Sequence, residues 1–368
     1  MNILKFTGIA AACLICMISC DNNPYGATGY IPPVDKPEQE EPVIAGEYAK
    51  GADISWVTEM EKDGVKFYNA AGEERECTTL MKELGFNSIR LRVWVDPDGG
   101  WCGAEDVLVK AKRAQALGMR IMVDFHYSDS WADPSKQNVP EAWKGYDVAG
   151  LAEAVGDHTS GVLGLLKDNE VDVEWVQVGN EVNSGMLWPH GKVQDRTHES
   201  FVKFLNAGYE AVKNTYPKAK VVVHLSNGHD AGLFDWFFNL MKLGNAKYDL
   251  IGMSLYPFWW ENGGWNDWKV PVDAAVANIK SLISKYKKPI IICETGAPVY
   301  YPEVSRQAYS YILEQTTKIE DCHGIFCWEP QTDGVWKPAS YAALGWGAYD
   351  KGAFKNGKAT VALEPFGK

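Results

Sequence analysis

Three runs follow one another with short breaks: Lys220-Val-Val-Val-His-Leu225, Leu233-Phe-Asp-Trp-Phe-Phe-Asn-Leu-Met-Lys-Leu243 and Leu250-Ile-Gly-Met-Ser-Leu255. The outer two are short and apolar, and the first is rich in β-branched residues, as buried strands are. The middle run is long enough for a helix and ends at Gly244, where a helix stop belongs. Strand, helix and strand in succession form the repeating unit of a parallel sheet.

The same alternation extends in both directions. Strands are expected at 52–55, 88–94, 120–125, 174–178, 220–225, 250–255, 289–293 and 324–328. Helices are expected at 104–117, 148–167, 199–215, 233–243, 272–286 and 305–318, with Gly85 and Gly118 as further stops. Eight β-then-α units in about 300 residues predict a closed (β/α)8 TIM barrel. An open doubly wound sheet is the alternative, but Gly51-Ala-Asp-Ile-Ser-Trp56 after the first strand has no GxGxxG phosphate loop.

The chain has 368 residues, 46% of them apolar and 23% charged, and carries a net charge of −12. That composition belongs to a globular protein with a large core, not to a disordered chain or a multi-span membrane protein. The acidic balance argues against binding nucleic-acid phosphates. It places no restriction on a neutral ligand.

The first fifty residues read as an address and a tether. Lys5 precedes an apolar run from Phe6 to Ile18, too short to span a bilayer. The run ends Ser19-Cys20, which resembles the lipobox of bacterial lipoproteins; on that resemblance Cys20 is the lipid-modified N-terminus. An ordinary secretory signal is the alternative. Residues 1–19 are thus expected to be a signal peptide, 20–50 an acidic, Pro-rich tether and 51–368 the (β/α)8 domain. The expected location is the membrane of a bacterium, on an exported face. Loss of Cys13 and Cys16 and acylation of Cys20 leave Cys77, Cys102, Cys293, Cys322 and Cys327, which read as buried thiols with room for one bridge at most.

Fifteen tryptophans are the unusual count. Thirteen of them (56, 94, 101, 131, 143, 188, 259, 260, 265, 268, 328, 336 and 346) follow expected strand C-termini. Functional residues of a (β/α)8 barrel gather on that face. Exposed aromatic platforms for a ligand are therefore expected there, with Trp175 and Trp236 lying elsewhere.

Two expected strands deliver a glutamate at their tips: Val178-Gly-Asn-Glu181 and Ile290-Ile-Ile-Cys-Glu294. A carboxylate at the end of an apolar strand is costly unless used or paired, and Arg90 or Arg92 could serve as structural partners. Two carboxyls facing each other across a barrel mouth are what glycoside cleavage needs. Asp124, His126, His224, Tyr256 and Trp328 close other strands at the same level. No HxH or HExxH pair, EF-hand loop or GxSxG elbow is present, so no metal site, no cofactor and no serine nucleophile is expected.

On these residues the sequence resembles the retaining (β/α)8 glycosidases, and more narrowly the arabinogalactan endo-β-1,4-galactanases of glycoside hydrolase family 53. The matching motifs are Asn87–Trp94, Asp124–Pro134, Val178–Glu181, Leu187–Gly191, His224–Gly228, Ser254–Phe258 and Cys327–Pro330. The resemblance implies endo-hydrolysis of β-1,4-galactan by a monomer, with Glu181 as acid/base and Glu294 as nucleophile. It further implies that Asn180 holds the sugar 2-hydroxyl and Arg90 supports the nucleophile. His126, His224, Tyr256 and Trp328 would frame the pocket, and Trp131 and Trp188 would flank the cleft. Some members carry a calcium-binding insertion after the eighth strand; here Gln331–Ser340 offers only Asp333, so no calcium is expected. The competing expectations are a non-catalytic glycan-binding lipoprotein and a related endo-glycanase acting on mannan, xylan or glucan.

Overall fold

In the computed structural model, residues 46–194, 197–259 and 267–368 are described. The expected signal peptide, Cys20, the tether as far as residue 45, and Trp260 and Trp265 lie outside the described residues.

Eight parallel strands close into a barrel: β1 (Ala49–Asp53), β2 (Ser88–Val93), β3 (Arg120–Phe125), β4 (Trp175–Val178), β5 (Lys220–Leu225), β6 (Leu250–Leu255), β7 (Ile290–Thr295) and β8 (Cys322–Trp328). Each pairs with the next in sequence, and β1 pairs with both β2 and β8 to complete the ring. The expected strands at 120–125, 220–225 and 250–255 have the observed boundaries. β1 starts three residues earlier than its pattern suggests because Ala49 pairs with Gly324 on β8.

The outer layer contains α1 (Val57–Lys62), α2 (Cys77–Glu83), α3 (Ala104–Ala116), α4 (Val148–Asp168), α5 (Glu199–Thr215), α6 (Ala231–Leu243), α7 (Lys269–Tyr286), α8 (Pro302–Thr316) and α9 (Ala339–Ala343). The two short helices α1 and α2 follow β1 without a readable sequence signal; their periodic stretches are six and seven residues long. Gly85 and Gly118 end α2 and α3 in left-handed conformation. Gly244 does not: its φ is −77°, and Asn245 takes the left-handed turn instead, at φ 56°. All five cysteines of the barrel are buried and free.

The barrel floor is an apolar layer of Ala49, Met122, Trp175, Val222, Leu250, Ile291, Cys293 and Phe326. Gly51 has to be glycine here, because a Cβ would lie 2.1 Å from the Phe326 ring. Above this layer the alternation of strand residues sends polar side chains inward, and these make the catalytic face.

Candidate active site

Arg90 on β2 is the hub of the mouth and is fully buried. Its Nη1 donates to Asp53 Oδ2 at 2.6 Å, and Nε donates to Gln177 Oε1 at 2.7 Å. Nη2 reaches Asp124 Oδ2 at 2.8 Å, Asn180 Oδ1 at 3.0 Å and Glu294 Oε1 at 3.0 Å. One guanidinium thus faces three carboxyls and two amides from four other strands or their ends. A planar fork of donors suits this role, and lysine would leave most of it unmade.

Glu294 reaches the mouth through a β-bulge. Met253 on β6 pairs with Ile292 on β7 and Ser254 with Glu294, so Cys293 is the extra residue. Cys293 packs in the floor and Glu294 meets Arg90, so two consecutive side chains face the interior. The second oxygen of Glu294 accepts from Tyr256 Oη at 3.0 Å. Burial pushes the Glu294 carboxyl up to about 7 against the pull of Arg90, with Asp124 and Asp53 adding to the rise.

Glu181 sits just past β4 with φ 44°, following Gly179 at φ 90°. Tyr127, Asn227 and Glu329, each just beyond a barrel strand, are also left-handed. Such residues cost of order 1–3 kcal/mol each and concentrate where function holds the chain in place. Glu181 Oε1 accepts from Ser254 Oγ at 2.6 Å. Burial and then the charge of Glu294 push Glu181 up to about 8.

The hydrogen bonds behind Glu181 have one consistent direction. Gln177 spends its oxygen on Arg90, so its NH2 group donates to Asp124 Oδ1 at 2.9 Å and His224 Nδ1 at 3.0 Å. Nδ1 is therefore the bare nitrogen, and Nε2–H donates to Ser254 Oγ at 2.9 Å, leaving the serine proton for Glu181. The opposite tautomer would make one bond to Asn180 Oδ1, 3.0 Å away, and forfeit the bonds from Gln177 and to Glu181. Burial holds His224 well below the usual imidazole range, as a neutral ring requires.

His126 is a neutral positioning group. Its Nδ1 accepts from the Ala132 N–H at 3.1 Å, and Nε2 donates to Asp124 at 2.9 Å. Burial raises the Asp124 carboxyl, but Arg90 and His126 outweigh it and hold Asp124 below the usual carboxylate range. Asn180 gives one Nδ2 proton to the Ala132 carbonyl at 2.8 Å. The loop after β3 is tied in by Gln137, which donates to the Asn180 carbonyl at 2.8 Å.

Four tryptophans on the expected face are not open platforms. Trp56, Trp94, Trp131 and Trp328 are each under 10% exposed and surround the Arg92 guanidinium at 4.3–5.9 Å. They meet one another edge-to-face, as ring quadrupoles favour. Arg92 pairs with Glu329 at 3.3 Å, whose own carboxyl burial and then Asp53 push up to about 8. Arg90 and Arg92 therefore divide the work: the first meets Glu294, the second anchors an aromatic wall. Trp259 is an exposed ring at the mouth and stands against Tyr256 at 4.1 Å.

A cavity of about 220 Å³ opens above Glu181, lined by Ser226, Asn227, His229, Ser254, Tyr256 and Trp259. Trp188 is half-buried and lines a neighbouring cavity of about 550 Å³ with Asp129, Trp143 and His190. Arg90, His126, Asn180, Glu181, His224, Tyr256 and Glu294 come together as one network, and Trp131 and Trp328 form its aromatic wall. Gln177, Ser254 and Glu329 carry no signal of their own as single residues; Ser254 and Glu329 lie inside quoted motifs, and strand alternation points Gln177 inward. Asp333 accepts from the Val335 and Trp336 N–H groups, so the only carboxylate of that segment closes a local turn.

Paired carboxyls on a (β/α)8 mouth, one gripped by arginine and the other weakly held, define a glycoside hydrolase. The model of glycosyl hydrolase family 53 matches residues 49–366, and the chain belongs to that family. A relative from Aspergillus fumigatus, a probable arabinogalactan endo-β-1,4-galactanase A, is 33% identical over 80% of this chain and 86% of its own. A solved fungal β-1,4-galactanase superimposes with TM-score 0.76 at 28% identity, over 88% of this chain and 99% of the other. The family 53 catalytic domain from Ignisphaera aggregans gives 0.74 at 29% identity, over 90% of this chain and 99% of the other.

Proposed function

We propose that the protein hydrolyses internal β-1,4-galactosidic bonds of galactan by double displacement with retention. The observation that carries this reading is the unequal treatment of the two carboxyls. Arg90 and Tyr256 both reach Glu294, favouring negative charge there, while Glu181 receives a single serine hydrogen bond. One proton shared by the pair then rests on Glu181, with the negative charge on Glu294.

In the first step a Glu294 oxygen forms a bond to the anomeric carbon. The bond to the leaving oxygen breaks, and the Glu181 proton moves to that oxygen. In the second step Glu181, now a carboxylate, takes a proton from water. The water oxygen bonds to the anomeric carbon and the bond to Glu294 breaks. Ser254 keeps Oε1 of Glu181 occupied, which leaves Oε2 to carry the travelling proton. Asn180 keeps one N–H for the sugar beside the site. The relatives named as galactanases support β-1,4-galactan as substrate. A neutral polymer also suits a protein of net charge −12.

Product formation on β-1,4-galactan, mannan, xylan and glucan tests the substrate. Faster cleavage of any of the last three would sink the galactan reading, and galactose released solely from chain ends would sink the endo reading. Proton NMR of the first product tests the stereochemistry, since an initial α-anomer means inversion. For the N-terminal region we infer a lipid anchor on Cys20, supported by the Ser19-Cys20 step after an apolar run. A mature N-terminal peptide without lipid mass would refute it.

A further inference from the structure

Trp143 lines two cavities. One is the 550 Å³ cavity beside Trp188, and the other is about 570 Å³ and lined by Val95, Tyr146, Gly150, Glu153, Asp157 and His158. Both fall in the size range of small-ligand sites, roughly 300–1,000 Å³. The route back to the catalytic pair is short in residues. Gln137 holds the Asn180 carbonyl, its neighbour Asn138 bridges to Trp188 and lines the first cavity, and Trp143 is the wall shared with the second.

The second cavity has the chemistry of a sugar site. Tyr146 presents a ring that is 46% exposed. A Cβ on Gly150 would stand 3.2 Å from the Tyr146 side chain, so glycine keeps the space beside that ring open. Glu153 and Asp157 lie one turn apart on the same face of α4, are exposed and bind no cation among the described residues. His158 packs edge-on against Phe125, Tyr127 and Trp143, and its Nε2 is buried without a partner. Burial lowers this imidazole to about 4, so it is neutral and can give or take a hydrogen bond. Two carboxylates repel an anion, and an apolar ligand would have to desolvate both. A ring with hydroxyl groups on its edge and C–H groups on its face suits both carboxylates and the exposed Tyr146 ring.

We propose that this cavity is an accessory binding site for a neutral galactan segment, which stacks on Tyr146 and gives its hydroxyls to Glu153 and Asp157. The inference rests on the galactanase reading. Its test is native gel electrophoresis with and without embedded β-1,4-galactan, together with initial rates on polymer and on a short galacto-oligosaccharide. Tyr146→Ala and the double variant Glu153→Gln/Asp157→Asn are each expected to weaken retention by galactan at least threefold. They should raise KM for the polymer, leave kcat unchanged and leave rates on the short substrate within twofold. Tyr146→Phe should restore retention. High salt should leave retention intact; its loss would mark the cavity as a cation site and overturn the proposal. Failure of the unaltered protein to cut galactan sinks the functional reading. If galactan is cut but both variants are retained like the parent, only the accessory site is sunk.

Discussion

The floor and the mouth of the barrel are built on the same eight strands from opposite materials. The floor is apolar and close-packed, with Phe326 against Gly51 and Trp175 against Phe326. A few residues further along the same strands stand Asp53, Arg90, Asp124, Gln177, His224, Ser254 and Glu294, every one of them buried. The floor stabilises by dispersion and removal of apolar surface from water. The mouth holds at least four carboxyls that burial acts to neutralise, and it survives because two arginines face them. The lesson is that one end of this barrel supports the fold and the other consumes part of that support for chemistry.

The largest break in this contrast is expected from Glu294→Ala, which should lower kcat roughly 10⁴-fold or more while leaving the melting temperature unchanged or raised. Glu181→Ala should cost roughly 10²–10⁴-fold on polymer. Its loss should be smaller on aryl galactosides, whose leaving groups need no proton. A near wild-type rate for either variant on galactan would end the assignment.

Stability reads the other side. Arg90→Met leaves Asp53, Asp124 and Glu294 without their cation and should cost about 3–5 kcal/mol in denaturant melts. Phe326→Ala on the floor should cost a similar ~3–5 kcal/mol through the cavity it leaves. The two differ in their pH dependence. The Phe326→Ala variant should keep the parental pH–rate profile, whereas a shifted profile would mean that the floor and the mouth are coupled.

The smaller effects sharpen the mouth itself. With Glu181 at about 8 and Glu294 at about 7, kcat/KM should fall on the alkaline side as Glu181 loses its proton. On the acid side it should fall as Glu294 gains one. The Ser254 hydrogen bond favours the charged form of Glu181, so Ser254→Ala should move the alkaline limb upward and cost about 1.5–3 kcal/mol in the step that needs a carboxylate. Raised carboxyls bind protons more tightly folded than unfolded. Their stabilisation is therefore full below the ordinary 4.5 and is lost as pH rises to about 8. Glu181→Gln should flatten that slope in pH-dependent melts; an unchanged slope would remove Glu181 from the groups responsible.

Much of the fold was legible because the signals are local. Three strands have the boundaries their apolar runs imply, and α5 spans the expected 199–215. α1 and α2 were not legible, being too short for a periodic pattern to declare itself. Within the site, Glu181, Asn180, Arg90 and His224 announced themselves as polar residues at strand ends. Ser254 and Glu329 did not, since a serine or glutamate in a strand-and-turn sequence has many uses. Trp56, Trp94, Trp131 and Trp328 were expected as exposed rings and are buried, whereas Trp259 and Trp346 are exposed. Sequence position fixes which end of a strand a ring occupies, while only packing around Arg92 decides whether its face meets water.

By itself the sequence determined the eightfold β/α alternation, the face on which polar and aromatic residues collect, and the pair of glutamates. Periodicity and strand polarity are properties of the chain, and they survive without knowledge of its partners. The tertiary structure alone decided which carboxyl meets which arginine. Strict alternation would send Cys293 inward and Glu294 out toward the helices. The bulge keeps Cys293 in the floor and turns Glu294 inward as well, because the register with β6 and the attraction of Arg90 are set by other strands, distant in the chain.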